Sequence, residues 1–264
     1  MELKNKVFAV TGGGAGIGRA TVLALLARGA TVAAVDLNES GLIETQAVAG
    51  GTSRLSIHVA NIVDREAVFA LPEKIASVHG DIDGLVNIAG IIQPFVHVSE
   101  LDFELMERVM DVNFWGTVNM TKAFLPVLLR RPTASLVNVS SMGAILPVPG
   151  QTAYGASKAA VALFTEGLFA ELQDTPVAVT EVFPGGIATD IMKNSGVERA
   201  NKDQGNTAPN TTTAPEAARQ IVDAIEKERF RVHIGRDAKM FDKLSRLIPE
   251  RAIRLIAQKM KDVG

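Results

Sequence analysis

Tyr154 and Lys158 stand four residues apart in Ala153 to Leu172, a segment with helical spacing, so their side chains share one helix face about one turn apart. A phenol with an ordinary pKa of about 10 is a poor base at neutral pH, but an ammonium within ~4–6 Å favours the phenolate and lowers that value. The pair could then donate or accept a proton. Ser141 follows the apolar run Leu136 to Ser140, which places a hydroxyl on the rim where open α/β sheets bind ligands. Tyr154 is the only tyrosine among 264 residues. Taken alone, Tyr-x-x-x-Lys is equally the pattern of a partly buried surface tyrosine covered by a lysine stem.

A second group of residues suits a phosphate. Thr11-Gly12-Gly13-Gly14-Ala15-Gly16-Ile17-Gly18 follows one apolar run and opens a helical pattern. Gly12, Gly16 and Gly18 allow a tight turn, close approach of backbone N–H groups to a pyrophosphate, and close seating of the helix on the strand. Asp36 ends the next apolar run, 18 residues after Gly18, where a carboxylate can accept hydrogen bonds from the hydroxyls of an adenosine ribose. That carboxylate would repel a 2′-phosphate, and neither Ala15 nor Leu37 supplies a compensating cation, so NAD is expected rather than NADP. The competing role for Asp36, a helix cap, is one that Asn38 or Ser40 could fill equally well.

These groups need elements to position them. Short β-branched runs alternate with longer helical patterns, the signature of βαβ units and a parallel sheet. Strands are expected at Lys6–Thr11, Thr31–Asp36, Arg54–Ala60, Gly84–Ile88, Ser135–Ser140, Val177–Phe183 and Phe230–Ile234. Helices are expected at Gly16–Arg28, Glu39–Val48, Arg65–Val78, Phe103–Leu129, Ala153–Leu172 and Pro215–Glu228. The fold expected is α/β, a single doubly wound Rossmann-type domain over residues 1–235 with a seven-stranded parallel sheet, extended by amphipathic helices over 236–264. At 264 residues, roughly three quarters of the chain's surface can be buried. With 47% hydrophobic and 21% charged residues the composition is that of an ordinary globular domain. From Asn194 to Ala214 no apolar period survives, and the segment 190–214 is expected to act as a substrate lid.

The motifs taken together resemble the short-chain dehydrogenase/reductase family. Thr11-Gly12-x-x-x-Gly16-Ile17-Gly18, Asn87-Ile88-Ala89-Gly90, Val112-Asn113, Ser140-Ser141, Tyr154-Gly155-Ala156-Ser157-Lys158 and Pro184-Gly185-Gly186-Ile187-Ala188-Thr189 occur in the family's order, from about Leu3 to Gly235. The resemblance implies hydride transfer between NAD(H) and a secondary alcohol or ketone. It gives Tyr154 the proton exchange, Ser141 the substrate oxygen, and Lys158 the nicotinamide ribose. It also gives Asn113 a water that extends a proton path from Lys158. By position in the motifs, Asn61, Ile62 and Asn87 would face the adenine and its ribose, and Ile187 and Thr189 the nicotinamide carboxamide and pyrophosphate. Two positions depart from the pattern, Ile88 where a second Asn is usual and Asn61 where Asp is common. An epimerase or dehydratase of the same family, and a dinucleotide-binding regulator without turnover, are the rival readings.

Ala144 to Gln151, between Ser141 and Tyr154, is apolar and uncharged and is expected to form one wall of the substrate cleft. Leu146, Gln151 and Met192 are expected substrate contacts, with Phe95, Val96 and Ile191 as further liners, and the substrate is expected to be neutral and mostly hydrophobic. The same side chains could instead pack against one another.

The net charge of −2 conceals an asymmetry, +6 from Lys227 onward and −8 before it. The overall balance leaves no electrostatic footprint for nucleic acid. Met240, Phe241, Leu244, Leu247 and Ile248 form one stripe, and Ile253, Ile256, Ala257 and Met260 another after Pro249, with Arg and Lys opposite. Such helices could cover the cleft, a neighbouring subunit or an anionic membrane surface. A homodimer or homotetramer is expected from the resemblance. His58, His79, His97 and His233 lack metal-ligand spacing, so no metal is expected. Zero cysteines suit a reducing compartment. The apolar run Val7 to Val10 is too short for a signal-peptide core, and a cytoplasmic location is expected.

Overall fold

The computed structural model of the chain describes residues 1–189, 191–197 and 211–259. Strands β1 (Val7–Thr11), β2 (Thr31–Asp36), β3 (Leu55–Val59), β4 (Gly84–Asn87), β5 (Ala134–Val139), β6 (Val177–Pro184) and β9 (Arg231–Ile234) form one sheet in the order β3-β2-β1-β4-β5-β6-β9. Every pairing is parallel. The expected seven-stranded parallel sheet is therefore the one observed, with strand ends within one residue of those read from the sequence. β5 is buried along its whole length, which is why its apolar run is nearly unbroken.

Helices cover both faces. Val22 and Leu25 of α1 (Gly16–Ala27) pack with Ile221, Val222 and Ile225, and α2 (Glu39–Val48) adds Leu42 on that side. On the other face, Val68 of α3 (Arg65–Phe69) and Ile75 of α4 (Leu71–His79) pack with Met120, Phe124 and Leu168. The chain order reverses between β1 and β4, so a crevice opens at their carboxyl ends, where doubly wound sheets bind ligands.

Three expectations are corrected. The helix expected over Arg65–Val78 is two helices that meet at Ala70. Asp64 caps the first by accepting the Ala67 N–H, and Pro72, which has no N–H to leave unpaired, falls in the first turn of the second. The helix expected over Phe103–Leu129 is α5 (Phe103–Met110), a π turn at Asp111–Trp115, and α6 (Gly116–Leu128). The stretch from Asn194 to Ala214 is not wholly loop: β8 (Thr212–Thr213) lies within it and pairs with β7 (Ile187–Ala188), and α8 (Ile191–Asn194) leads into it. Residues 190 and 198–210 of the expected lid lie outside the described residues.

The carboxyl-terminal stripes divide between core and surface. After α7 (Thr152–Glu171) and α9 (Ala214–Glu226) come α10 (Arg236–Leu247) and α11 (Pro249–Lys259). Phe241, Ala252 and Ile256 bury against Leu146, with Leu244 alongside, whereas Met240, Leu247, Ile248 and Ile253 remain exposed. Only part of each stripe is core. Met260 lies outside the described residues. Among the described residues, no helix is long and apolar enough to cross a membrane.

Candidate active site

The turn from β1 into α1 is shaped by missing side chains. Gly12 has φ +71° and a Cβ there would lie 3.0 Å from the Ala89 nitrogen, while a Cβ on Gly18 would fall 1.9 Å from the Gly12 carbonyl oxygen. Both neighbours are backbone, so neither can move aside. Ala15, at the cap of α1, offers no side-chain acceptor to the first-turn amides, which leaves those donors for an anion. Gly12, Gly16, Ile17 and Gly18 line a cavity of about 660 Å³ that continues along Asp36, Asn61, Ile62, Gly90, Ile91 and Thr189.

Asp36 sits at the cavity's edge, fixed by two backbone amides. Its Oδ2 accepts the Gly14 N–H at 2.9 Å and its Oδ1 the Asn38 N–H at 2.9 Å. The cap of α2 is Asn38, whose side chain accepts the Gly41 N–H, so Asp36 is not needed for that role. The nearby cation Arg19 is held by Glu44, Thr45 and the Gly14 carbonyl. Glu104, Glu107 and Asp111 add carboxylates to the cavity lining, with Arg108 among them. The donor-rich turn, the fixed ribose-type acceptor and the cavity size together fit a dinucleotide.

Ser141, Tyr154 and Lys158 converge at the carboxyl end of β5. Ser141 lies beside the Tyr154 phenol, and its Oγ accepts the Gly143 N–H at 3.0 Å. Gly143 lies against both, since a Cβ there would be 3.4 Å from Ser141 Oγ and 3.5 Å from Tyr154 Cε1. Lys158 is 5% exposed, and its Nζ donates to the Val139 carbonyl at 3.0 Å. Asn113, in the π turn, accepts the Ile91 N–H and donates to the Ile91 carbonyl and to Ser157 Oγ. Lys158 and Asn113 meet at Gly90, where an added Cβ would lie 3.1 Å from Lys158 Nζ and 3.0 Å from Asn113 Oδ1. Lys158 and Asn113 thus reach the cavity lining at Gly90.

The electrostatics differ from those expected of the pair. Burial is the largest influence on Tyr154 and pushes its phenol above the ordinary value, against a smaller lowering by the nearby Ser141 hydroxyl. Burial also pushes Lys158 down to about 8. In this state the ammonium serves the Val139 carbonyl, and the hydroxyl of Ser141 is what favours the phenolate.

Three expected contacts are placed elsewhere. Asn87 is buried between strands, donating to Asn138 Oδ1 at 2.9 Å rather than lining the cavity, although its Oδ1 has no hydrogen-bond partner there. Leu146 is 1% exposed beneath α10 and α11, because Phe241 and Ile256 cover it, so it supports the wall of a cleft instead of forming its surface. Gln151 is buried and its Nε2 donates to the Gln93 carbonyl at 2.7 Å. Thr189 and Ile191 line the cavity, Ile187 pairs with Thr212, and Met192 is half-buried in α8. Gln93 and Asp237 were not anticipated. Asp237 accepts the Gly186 N–H at 2.8 Å, tying α10 to the turn after β6, and no local pattern marks either residue.

Residues 6–200 match the family model described as short chain dehydrogenase. The chain is 37% identical to an oxidoreductase named SadH of Mycobacterium tuberculosis over 97% of this chain and 95% of the relative. A short chain dehydrogenase from Burkholderia cenocepacia, solved in complex with NADP, superposes with a TM-score of 0.82 at 28% identity, over 97% of this chain and 99% of that one. A short chain dehydrogenase/reductase from Burkholderia phymatum, solved in complex with NAD, gives a TM-score of 0.86 over 95% of this chain and 96% of that one, and at 23% identity it speaks for the fold alone.

Proposed function

From the chain's membership of the short-chain dehydrogenase family, we propose that it is an NAD-dependent alcohol dehydrogenase or ketone reductase acting on a neutral, mostly apolar secondary alcohol or its ketone. The observation that carries this reading is the Ser141 hydroxyl and the Tyr154 ring brought together at Gly143, with Lys158 reaching Gly90 at the end of the cavity. In that arrangement Ser141 holds the substrate oxygen. Tyr154 takes the hydroxyl proton during oxidation and returns it during reduction. Gly12, Gly16, Ile17 and Gly18 would hold the pyrophosphate, Asp36 and Asn61 the adenosine end, and Lys158 the nicotinamide ribose. The nicotinamide, when bound, exchanges the hydride with the substrate carbon. The apolar stretch Ala144 to Val148 supports a hydrophobic substrate.

Turnover is tested by following NADH absorbance with NAD⁺ and a panel of apolar secondary alcohols, with wild type beside Tyr154→Phe. Wild type is expected to turn over and the variant to lose about 10²–10⁴-fold in kcat, while NADH affinity stays within about twofold because phenylalanine keeps the ring and only the hydroxyl is lost. Binding of NADH without turnover of any alcohol or ketone would favour the regulator reading. Preference for NAD over NADP rests on Asp36. Asp36→Ala combined with Leu37→Arg removes the carboxylate and adds a cation, and the ratio of kcat/KM values for the two dinucleotides is expected to shift toward NADP by about tenfold or more. An unchanged ratio would remove Asp36 from the account of cofactor choice.

A further inference from the structure

Three consecutive residues on the loop leaving β4 are each gripped from a different side. Asn113 brackets the backbone of Ile91, with N–H to Oδ1 at 2.8 Å and Nδ2 to the carbonyl at 3.0 Å. Ser195 Oγ, just past α8, accepts the Ile92 N–H at 3.0 Å. Gln93, 0% exposed, reaches the other way. Its Oε1 accepts the backbone N–H of Tyr154 at 3.0 Å, its Nε2 donates to the Gly150 carbonyl at 2.9 Å, and its own carbonyl accepts from Gln151 Nε2 at 2.7 Å.

The first N–H groups of a helix have no partner within it, and the residue at the cap normally satisfies one of them with its side chain. In α7 the cap residue, Gln151, makes no such bond. Its amide is turned to the Gln93 backbone, and the acceptor for the Tyr154 N–H comes instead from Gln93, 61 residues upstream. The bond that ends the helix is therefore also a bond between the catalytic helix and the loop that carries Gly90.

We propose that Gln93 is a positioning residue for Tyr154, fixing the first turn of α7 against the Gly90 loop and so setting where the phenol stands relative to the cavity. The inference rests on the reading of Tyr154 as the proton-exchanging group. The carboxamide is needed on both sides, as acceptor toward Tyr154 and donor toward Gly150. Methionine matches its length with neither function. Glutamate keeps the acceptor, loses the donor when ionised, and brings a negative charge toward the phenol's own residue.

Because Tyr154 is the only tyrosine, the ultraviolet band of tyrosinate reports its ionisation alone, with or without turnover. Wild type, Gln93→Met and Gln93→Glu are compared by tyrosinate titration, NADH binding, and kcat and KM for an alcohol across pH. A displaced phenol is expected to lower kcat by about tenfold or more in Gln93→Met, with NADH affinity within about twofold. In Gln93→Glu the added charge is expected to raise the tyrosinate midpoint, and the pH limb of alcohol oxidation should move up by the same amount. An unmoved tyrosinate midpoint in Gln93→Glu, or kcat losses matched by equal losses of NADH affinity in both variants, would overturn the proposal. If wild type turns over no alcohol or ketone, the dehydrogenase reading fails, and the tyrosinate midpoint of Gln93→Glu still decides whether Gln93 sets the environment of Tyr154.

Discussion

Lys158 sets folding against chemistry. Its ammonium is buried with the Val139 carbonyl as its acceptor, and desolvation brings it down to about 8 from 10.5. Between those two values the unfolded chain binds a proton at this residue that the folded chain does not, so stability rises with pH across that window and the folded state is disfavoured below it. The rise amounts to about 3 kcal/mol. In Lys158→Met the group is gone. The difference in unfolding free energy between wild type and variant, measured by urea denaturation at steps from pH 7 to pH 10.5, is expected to change by about that amount in favour of wild type. A constant difference would mean that Lys158 is not desolvated as described. Sequence spacing located this residue, whereas its acceptor came from a different element, β5, and could not be read from Tyr154-x-x-x-Lys158.

At the scale of elements, the β1–α1 turn and the π turn between α5 and α6 behave differently as sequence signals. Gly18 is required by the Gly12 carbonyl six residues away, so that requirement is visible as a motif, whereas Gly12 is crowded by Ala89 from the loop after β4. Gly18→Ala makes the point measurable: with the Gly12 carbonyl only 1.9 Å from the new methyl, the turn must open. NADH affinity is expected to fall by at least about tenfold, followed by nucleotide fluorescence, with the sheet retained by far-ultraviolet circular dichroism. The π turn carries no such mark. Phe103 to Leu129 keeps helical periodicity through Asp111–Trp115, and the extra residue is recognised only once Asn113 is seen bracketing Ile91 from the loop after β4.

Across the whole molecule, the basic carboxyl-terminal helices do a structural service to the site. Phe241, Ala252 and Ile256 bury Leu146 on the loop that follows Ser141, and Asp237 holds the Gly186 amide after β6. None of these residues lines the dinucleotide cavity. Phe241→Ala is therefore expected to destabilise the fold by about 3 kcal/mol through the void it leaves. It should also lower kcat/KM for apolar alcohols while leaving NADH affinity within about twofold of wild type. Urea unfolding and the two affinities check this together. A loss confined to NADH binding would contradict the division of labour between α10 and α11 on one side and the cavity on the other.

The sequence by itself determined what depends on neighbours along the chain. Strand and helix order follows from hydrophobic period, the β1–α1 turn in part from Gly18, whose replacement would collide with the Gly12 carbonyl six residues away, and the Tyr154/Lys158 juxtaposition from the pitch of one helix. Tertiary structure decided what depends on partners far apart in sequence. Asn87 has the same side chain whether it faces a ligand or Asn138, and only the pairing of β4 with β5 puts it on the latter. Leu146 reads as a cleft wall until α10 and α11 close over it. Gln93 shows no local pattern at all, because the amide it satisfies belongs to a helix 61 residues downstream. Burial and hydrogen-bond satisfaction are properties of the packed chain, and a periodicity in one segment carries no information about the segment that will cover it.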